Sequence, residues 1–235
     1  MLRNNRRNRL RTVMPHNPLT RDFEIKLVRL GRLADLVEDS LVAQAAELDA
    51  RVSAEMERYS GEDRQDFYEF HAEDFYELGD ELPTLLRYSV LTGADAGLEV
   101  YLNDTCATYA EVHQSTVKLA DIHGVGIDRA RTFLKKVARI PFPDKGPEWM
   151  LVKRLHELRN VIVHADGYVA PNRNDVRQWT TQIVGFHITQ FGVISLARDF
   201  TGAALDAYHA FASRVDDACE QLSLWRSVFP PVEDA

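Results

Sequence analysis

The stretch that decides the fold is "LHELRNVIVHADGYV", residues 155–169. Its apolar residues, continued one turn upstream, recur at spacings of three and four: Leu151, Leu155, Leu158 and Ile162. This spacing predicts a helix with one apolar face from Glu148 to about Ala165. Gly167 follows at the position just past a helix C-terminus where glycine is preferred. The chain therefore contains a helix that packs on one side and ends at a fixed point.

The same helix carries a polar face opposite its apolar face. His156, Asn160 and His164 are four residues apart, so their side chains line up along the helix axis, and Arg159 flanks them. An ordinary solvated helix end would also explain a histidine in the last turn, because the helix dipole favours a cation there. The combination of arginine, asparagine and histidine at a capped end is more specific, and it marks a candidate site.

The rest of the chain also has a helical pattern, with one β-like segment. Helices are predicted at Asp22–Tyr59 with Thr20 as N-cap, from an acidic segment up to Leu78, from Pro83 to about Leu119, after Gly126, and from Ala203 to Ser227. The acidic segment is rich in aromatic residues, which we expect to turn inward. "TQIVGFHITQFGVISLA" predicts a short hairpin with Gly192 near its turn. The predicted class is mainly α, with a hairpin near the C-terminal helix.

Composition and charge narrow the functional classes. Of the 235 residues 45% are hydrophobic, and the net charge of −8 disfavours extensive wrapping of duplex DNA. Cys106 and Cys219 are too far apart for a zinc spacing, and we expect both to be free thiols in a cytoplasmic protein. No apolar run is long enough to span a membrane, and no metal-ligand or cofactor motif is present. We expect neither a cofactor nor a metal.

Within this chain, "LRNVIVHADG" resembles the signature of the HEPN superfamily, many of whose members are ribonucleases. The family pattern is an arginine, usually followed by Asn, Asp or His, and then a histidine, with four to six residues between the arginine and that histidine. Arg159, Asn160 and His164 match at the shortest spacing. The resemblance covers about 83–227 and implies an up-and-down helical bundle. It divides the chain into a basic, disordered arm (1–20), a helical N-terminal extension (21–80) and a HEPN-like domain (81–228).

The resemblance also implies an activity and partners. Members dimerise with the two motifs facing each other, so a composite site would cleave RNA without a metal, through attack by the 2′-hydroxyl. Arg159, Asn160 and His164 would be catalytic, with Glu99 and His156 in support. Glu99 is either a buried partner of Arg159 or a surface carboxylate. The implied role is a toxin or effector in toxin–antitoxin or phage defence, with a cognate antitoxin as partner.

Two other functions fit the sequence. The first is a catalytically silent HEPN-like protein that serves as a dimerisation or nucleotide-binding module. The second is a DNA-binding protein, because "LADIHGVGIDRARTFL" fits a helix-hairpin-helix pattern. In that motif the turn at Gly124 and Gly126 would present backbone N–H groups to a phosphate. The same turn could also contact the RNA backbone within the ribonuclease interpretation.

Overall fold

The computed structural model of the chain describes residues 17–221, and these are mainly helical. The helices are α1 (Pro18–Met56), α2 (Glu62–Phe70), α3 (Ala72–Tyr76), α4 (Leu82–Val112), α5 (Gly126–Lys136), α6 (Pro147–Ala165), α7 (Asn174–Arg177) and α8 (Arg198–Gln221). The strands β1 (Phe186–Ile188) and β2 (Ile194–Leu196) form an antiparallel hairpin just before α8. The predicted fold class is confirmed. The predicted arm up to residue 16 and the predicted end of the last helix lie outside the described residues.

The first helix begins earlier than predicted, and its N-cap is a different residue. Asn17 Oδ1 accepts a hydrogen bond from the backbone N–H of Leu19 at 2.9 Å, and Pro18 occupies the first helical position. Thr20, the predicted cap, is instead fully buried inside the helix. Its hydroxyl lies 3.1 Å from both the Tyr101 hydroxyl and Asp216 Oδ1. Threonine near a helix start favours an N-cap prediction. The actual partners of Thr20 are distant in sequence, so no local pattern reveals them.

Two further helix predictions were wrong, one in the continuity of the helix and the other in its C-terminal end. The predicted acidic helix is broken at His71 into α2 and α3, and neither contains a buried residue. Its aromatic side chains are not all turned inward, since Phe70 is 79% exposed. The predicted helix from Pro83 ends at Val112, well before Leu119. Beyond its end the Ser115 hydroxyl accepts a hydrogen bond from the Val117 N–H, a local bond that competes with helix continuation.

The chain divides into two compact units, and each draws on segments distant in sequence. The first contains 17–27, 95–152 and 207–221 of the described residues. Its core includes an aromatic cluster in which the ring centroids of Phe142, Trp149 and Phe211 lie 5.2 to 5.7 Å apart. Cys106 and Cys219 are buried in this unit as free thiols, as predicted.

The second unit contains 28–94 and 153–206. The hairpin pairs Phe186 with Leu196 and Ile188 with Ile194. An ion pair also ties this unit together, because the Arg87 guanidinium donates to both carboxylate oxygens of buried Glu38 at 2.7 and 2.9 Å. Both units contain residues from either side of the predicted boundary near residue 80, and that boundary stays a prediction.

Candidate functional site

The apolar face of α6 is buried as the spacing predicted. Leu155, Leu158 and Ile162 are 1%, 0% and 8% exposed. Leu151 is only half-buried, while Val161 next to Ile162 is buried at 7%. Burial of such side chains contributes about 1.5 to 3 kcal/mol each, so this face holds the orientation of α6. The polar residues on the other sides of the helix are therefore presented in a defined direction.

The motif residues are not equally exposed. His156, Arg159 and Asn160 are half-buried, whereas His164 is exposed. Within the motif, Arg159 Nη1 donates a hydrogen bond to Asn160 Oδ1 at 3.0 Å. This bond holds the guanidinium against the neighbouring amide. Among the residues of the predicted polar face, His164 is therefore the one that is widely open to solvent.

The chain reverses direction immediately after His164. The helix ends at Ala165, and the next two residues have positive φ angles, 48° at Asp166 and 76° at Gly167. The Gly167 N–H donates to the carbonyl of Val161 at 3.2 Å. The predicted glycine stop is confirmed, and the backbone bond fixes where the last turn of the helix, with His164, ends.

The segment after the motif is held by the hairpin, a feature that the sequence did not reveal. The Val169 N–H donates a hydrogen bond to the Gly192 carbonyl at 2.8 Å, and the Ile194 N–H donates one to the Gly167 carbonyl at 2.9 Å. Behind this pairing, the hydroxyl of buried Tyr88 donates to the Ile194 carbonyl at 2.6 Å. Burial, and to a lesser degree the charge of Asp166, raises the pKa of Tyr88 to about 12, so its hydroxyl stays protonated as a donor.

Exposed aromatic side chains lie close to the motif in the chain and on the docked hairpin. Tyr168 is 49% exposed and Phe191, at the hairpin turn, is 76% exposed. A Cβ on Gly192 would lie 3.2 Å from the Tyr168 ring, so this ring lies against the glycine next to Phe191. Exposed aromatic rings of this kind can stack with unpaired bases. Sequence reasoning missed both residues, although a tyrosine directly after the helix stop was a signal.

The cations that follow the motif are already engaged by neighbouring groups. Arg173 forms ion pairs with Asp175 at 3.0 Å and Glu157 at 3.6 Å, and its pKa is raised first by the hydrogen bond to Asp175. Arg177 Nη2 donates to the Val169 carbonyl at 2.8 Å. Both arginines therefore serve the local structure.

The other predicted site residues belong to the first unit. A Cβ on Gly126 would lie 3.7 Å from Glu99 Oε2, so the carboxylate of Glu99 lies beside the turn that precedes α5. Gly124 and Gly126 do have positive φ angles, 115° and 55°. A nearby carboxylate repels a phosphate, however. The element directly before the turn is a 3₁₀ turn, Leu119–Asp121, and not the α-helix that the motif requires. This disfavours the phosphate-binding and helix-hairpin-helix interpretations.

Within 17–221, no group of three or more histidine, cysteine, aspartate or glutamate side chains is arranged to hold a metal ion. No helix in that part of the chain combines the length and apolarity that a membrane crossing requires. Comparisons of the chain with models of known protein families, with curated proteins and with solved structures found no match.

Proposed function

We propose that the chain is a metal-independent endoribonuclease of the HEPN type, acting in the cytoplasm as a toxin or effector in toxin–antitoxin or phage defence. One observation carries the proposal: a half-buried arginine, hydrogen-bonded to its neighbouring asparagine, lies five residues before an exposed histidine at a helix end that is terminated by a glycine. The exposed aromatics Tyr168 and Phe191 add surfaces on which the bases of single-stranded RNA would stack.

In the proposed mechanism each residue type has a separate task. The Arg159 guanidinium binds the scissile phosphate and neutralises charge as the phosphorane forms, since arginine remains charged and grips phosphate bidentately. Asn160 orients the guanidinium through their 3.0 Å hydrogen bond. His164 transfers a proton, either from the attacking 2′-hydroxyl or to the leaving 5′-oxygen. The 2′-oxygen bonds to phosphorus as the P–O5′ bond breaks, which gives a 2′,3′-cyclic phosphate and a 5′-hydroxyl.

This chemistry needs two proton-transfer groups, and one protomer offers only one exposed histidine in the motif. His156 lies eight residues before His164, which places it about 12 Å away along the helix axis. His156 is also half-buried, so it is less accessible to a phosphodiester than His164 is. The proposal therefore includes a homodimer in which His164 of the partner subunit supplies the second group.

RNA cleavage in EDTA tests the proposal against the silent dimerisation module. We expect cleavage by the wild type without added metal, and products that end in a 2′,3′-cyclic phosphate. His164→Ala should lower the rate by about 10² to 10⁴, the usual contribution of a general acid or base. Arg159→Ala should behave similarly, while Arg159→Lys should recover only part of the activity because lysine cannot bind bidentately.

His187→Ala is the matched control, since His187 is an exposed histidine on β1. This variant should cleave at the wild-type rate, and circular dichroism should show that every variant is folded. A substrate with a single 2′-deoxy nucleotide at the cut site should resist cleavage. If His164→Ala cleaves as fast as the wild type, or if cleavage requires a divalent metal, the mechanism is wrong and the silent module becomes the better interpretation.

A further inference from the structure

A buried carboxylate joins the start of α1 to α8 within the first unit. Asp216, on α8, is only 7% exposed. Its Oδ1 accepts a hydrogen bond from Asn17 Nδ2 at 3.1 Å and another from the Thr20 hydroxyl at 3.1 Å. Asn17 caps α1, and Thr20 lies in the first turn of that helix. The first turn of α1 is therefore tied to α8 through one carboxylate oxygen.

The side chains around this carboxylate are closed off from water and also bond to one another. Asn17, Thr20 and Tyr101, the last of these on α4, are all buried. The Thr20 hydroxyl lies 3.1 Å from the Tyr101 hydroxyl, and Asn17 Nδ2 donates a hydrogen bond to Thr20 Oγ1 at 3.1 Å. Together with Asp216 these side chains form a buried polar network, which we call the α1 latch.

The charges around the α1 latch do not favour a carboxylate. Within 17–221 no cation pairs with Asp216, and the charges that act on it belong to Glu220 and Asp217. Burial raises the pKa of Asp216, the hydrogen bonds from Asn17 and Thr20 lower it in part, and the two carboxylates raise it further. The other titratable side chains around the latch are Glu24, Tyr101 and Cys219. Burial raises the pKa of the phenol and of the thiol, so both stay neutral.

We propose that Asp216 makes the α1 latch sensitive to pH: the latch is closed while the carboxyl holds a proton, and ionisation favours release of the first turn of α1. A buried carboxylate loses its hydration, which two neutral donors do not fully replace. Release exposes the carboxyl to water, where its pKa returns to the ordinary value of about 3.9. Because the pKa is raised in the closed latch, the closed state binds the proton more tightly and is favoured as the pH falls. The effect develops between the ordinary and the raised pKa.

A second titratable contact between α1 and α8 has to be separated from the α1 latch. Glu24 Oε1 lies 3.1 Å from His209 Nε2, and this contact is an ion pair only when the imidazole is protonated. It would therefore also favour the docked helix at lower pH. The His209 side chain is 35% exposed, however, so solvent screens this pair, whereas Asp216 is buried. We attribute the main pH dependence to Asp216, and a His209 variant tests this assignment.

Amide hydrogen exchange of the full chain from pH 4.5 to pH 8, corrected for the intrinsic pH dependence of exchange, measures release of the turn. The reporters are the amides of Leu19 and Arg21, which donate to the Asn17 side chain and to the Asn17 carbonyl. One proton can change an opening equilibrium by up to tenfold per pH unit, so we expect protection to fall at least about threefold across this range. Asp216→Asn keeps an acceptor oxygen but carries no charge. Its protection should not depend on pH, and at pH 8 it should exceed that of the wild type.

Two more variants control for charge and for hydrogen bonding. Asp217→Asn removes an exposed carboxylate from the neighbouring position of α8, and it should keep the pH dependence of the wild type. Thr20→Val removes one donor to Asp216, so protection should fall about two- to tenfold at every pH, while the pH dependence remains. Circular dichroism should show that each variant is folded.

Several results would overturn the inference. Protection in the wild type that does not change with pH is one, and an Asp216→Asn variant that is unfolded or as pH-dependent as the wild type is another. A pH dependence that survives in Asp216→Asn but disappears in His209→Gln would assign the effect to the ion pair instead. The same holds for His16→Ala, whose residue lies outside the described part of the chain. The exchange is measured without RNA, so absence of RNA cleavage would count against the ribonuclease function alone.

Discussion

Replacing Gly167 by alanine should destabilise the protein through two separable effects. The first is the backbone, because φ at this residue is 76°, a conformation that costs a non-glycine residue about 1 to 2 kcal/mol. The second is a collision, because the new Cβ would overlap the hydroxyl of Tyr88. Relieving that overlap displaces the 2.6 Å hydrogen bond from Tyr88 to the Ile194 carbonyl, which contributes about 0.5 to 1.5 kcal/mol.

Together these effects lower the free energy of unfolding by about 1.5 to 3.5 kcal/mol. For a chain of this length each kcal/mol corresponds to about 2 to 4 °C in Tm, so we expect Tm to fall by about 3 to 14 °C. Thermal unfolding followed by circular dichroism measures this shift. Gly126→Ala is a control with a positive φ of 55° and only an ordinary contact of 3.7 Å, so it should show the backbone effect alone.

A double-mutant cycle separates the collision from the backbone effect. In a Tyr88→Phe background the hydroxyl is absent, so Gly167→Ala should cost about 0.5 to 1.5 kcal/mol less than it does in the wild type. An equal cost of Gly167→Ala in both backgrounds would refute the reasoning, because it would mean that the Tyr88 hydroxyl does not restrict the turn after the motif. The backbone conformation at residue 167 would then be the only remaining cause of the destabilisation by Gly167→Ala.

Two further predictions concern the first unit. Burial raises the pKa of Cys106 to about 12 and raises that of Cys219 well above its usual value, so neither thiol should react with iodoacetamide at pH 8 until the protein unfolds. Mass spectrometry before and after denaturant measures this. Hydrogen bonds from Lys135 and, to a lesser degree, Arg131 lower the pKa of Asp144. The ionised Asp144 therefore stabilises the folded protein above about pH 4, and this stabilisation is lost as the pH falls through the lowered pKa. Urea unfolding of Asp144→Asn should therefore differ from the wild type at pH 7 and converge with it near pH 2.

Much of the secondary structure follows from local sequence. The limits of α6 were correct within about a residue, because leucine and isoleucine spacing identifies one apolar face and Gly167 supplies the positive φ at the end. The hairpin turn at Gly192 followed from the same kind of local rule. In contrast, the end of α4 and the N-cap of α1 were not predicted correctly. A turn at Ser115 follows the end of α4. Asn17 caps α1, although Thr20 nearby is also a residue type that commonly caps helices.

In the candidate site, too, some features follow from the local sequence and others depend on tertiary packing. The sequence by itself determined that Arg159, Asn160 and His164 lie on one short helix that ends immediately after them, since helical periodicity and glycine conformation are local properties. Only the tertiary structure decided that the hairpin pairs with the segment after the motif and that the ring of Tyr168 lies against Gly192. It also placed the carboxylate of Glu99 beside Gly126. These contacts join residues more than 20 positions apart, and their partners depend on how the buried faces of separate elements pack, which no local pattern records.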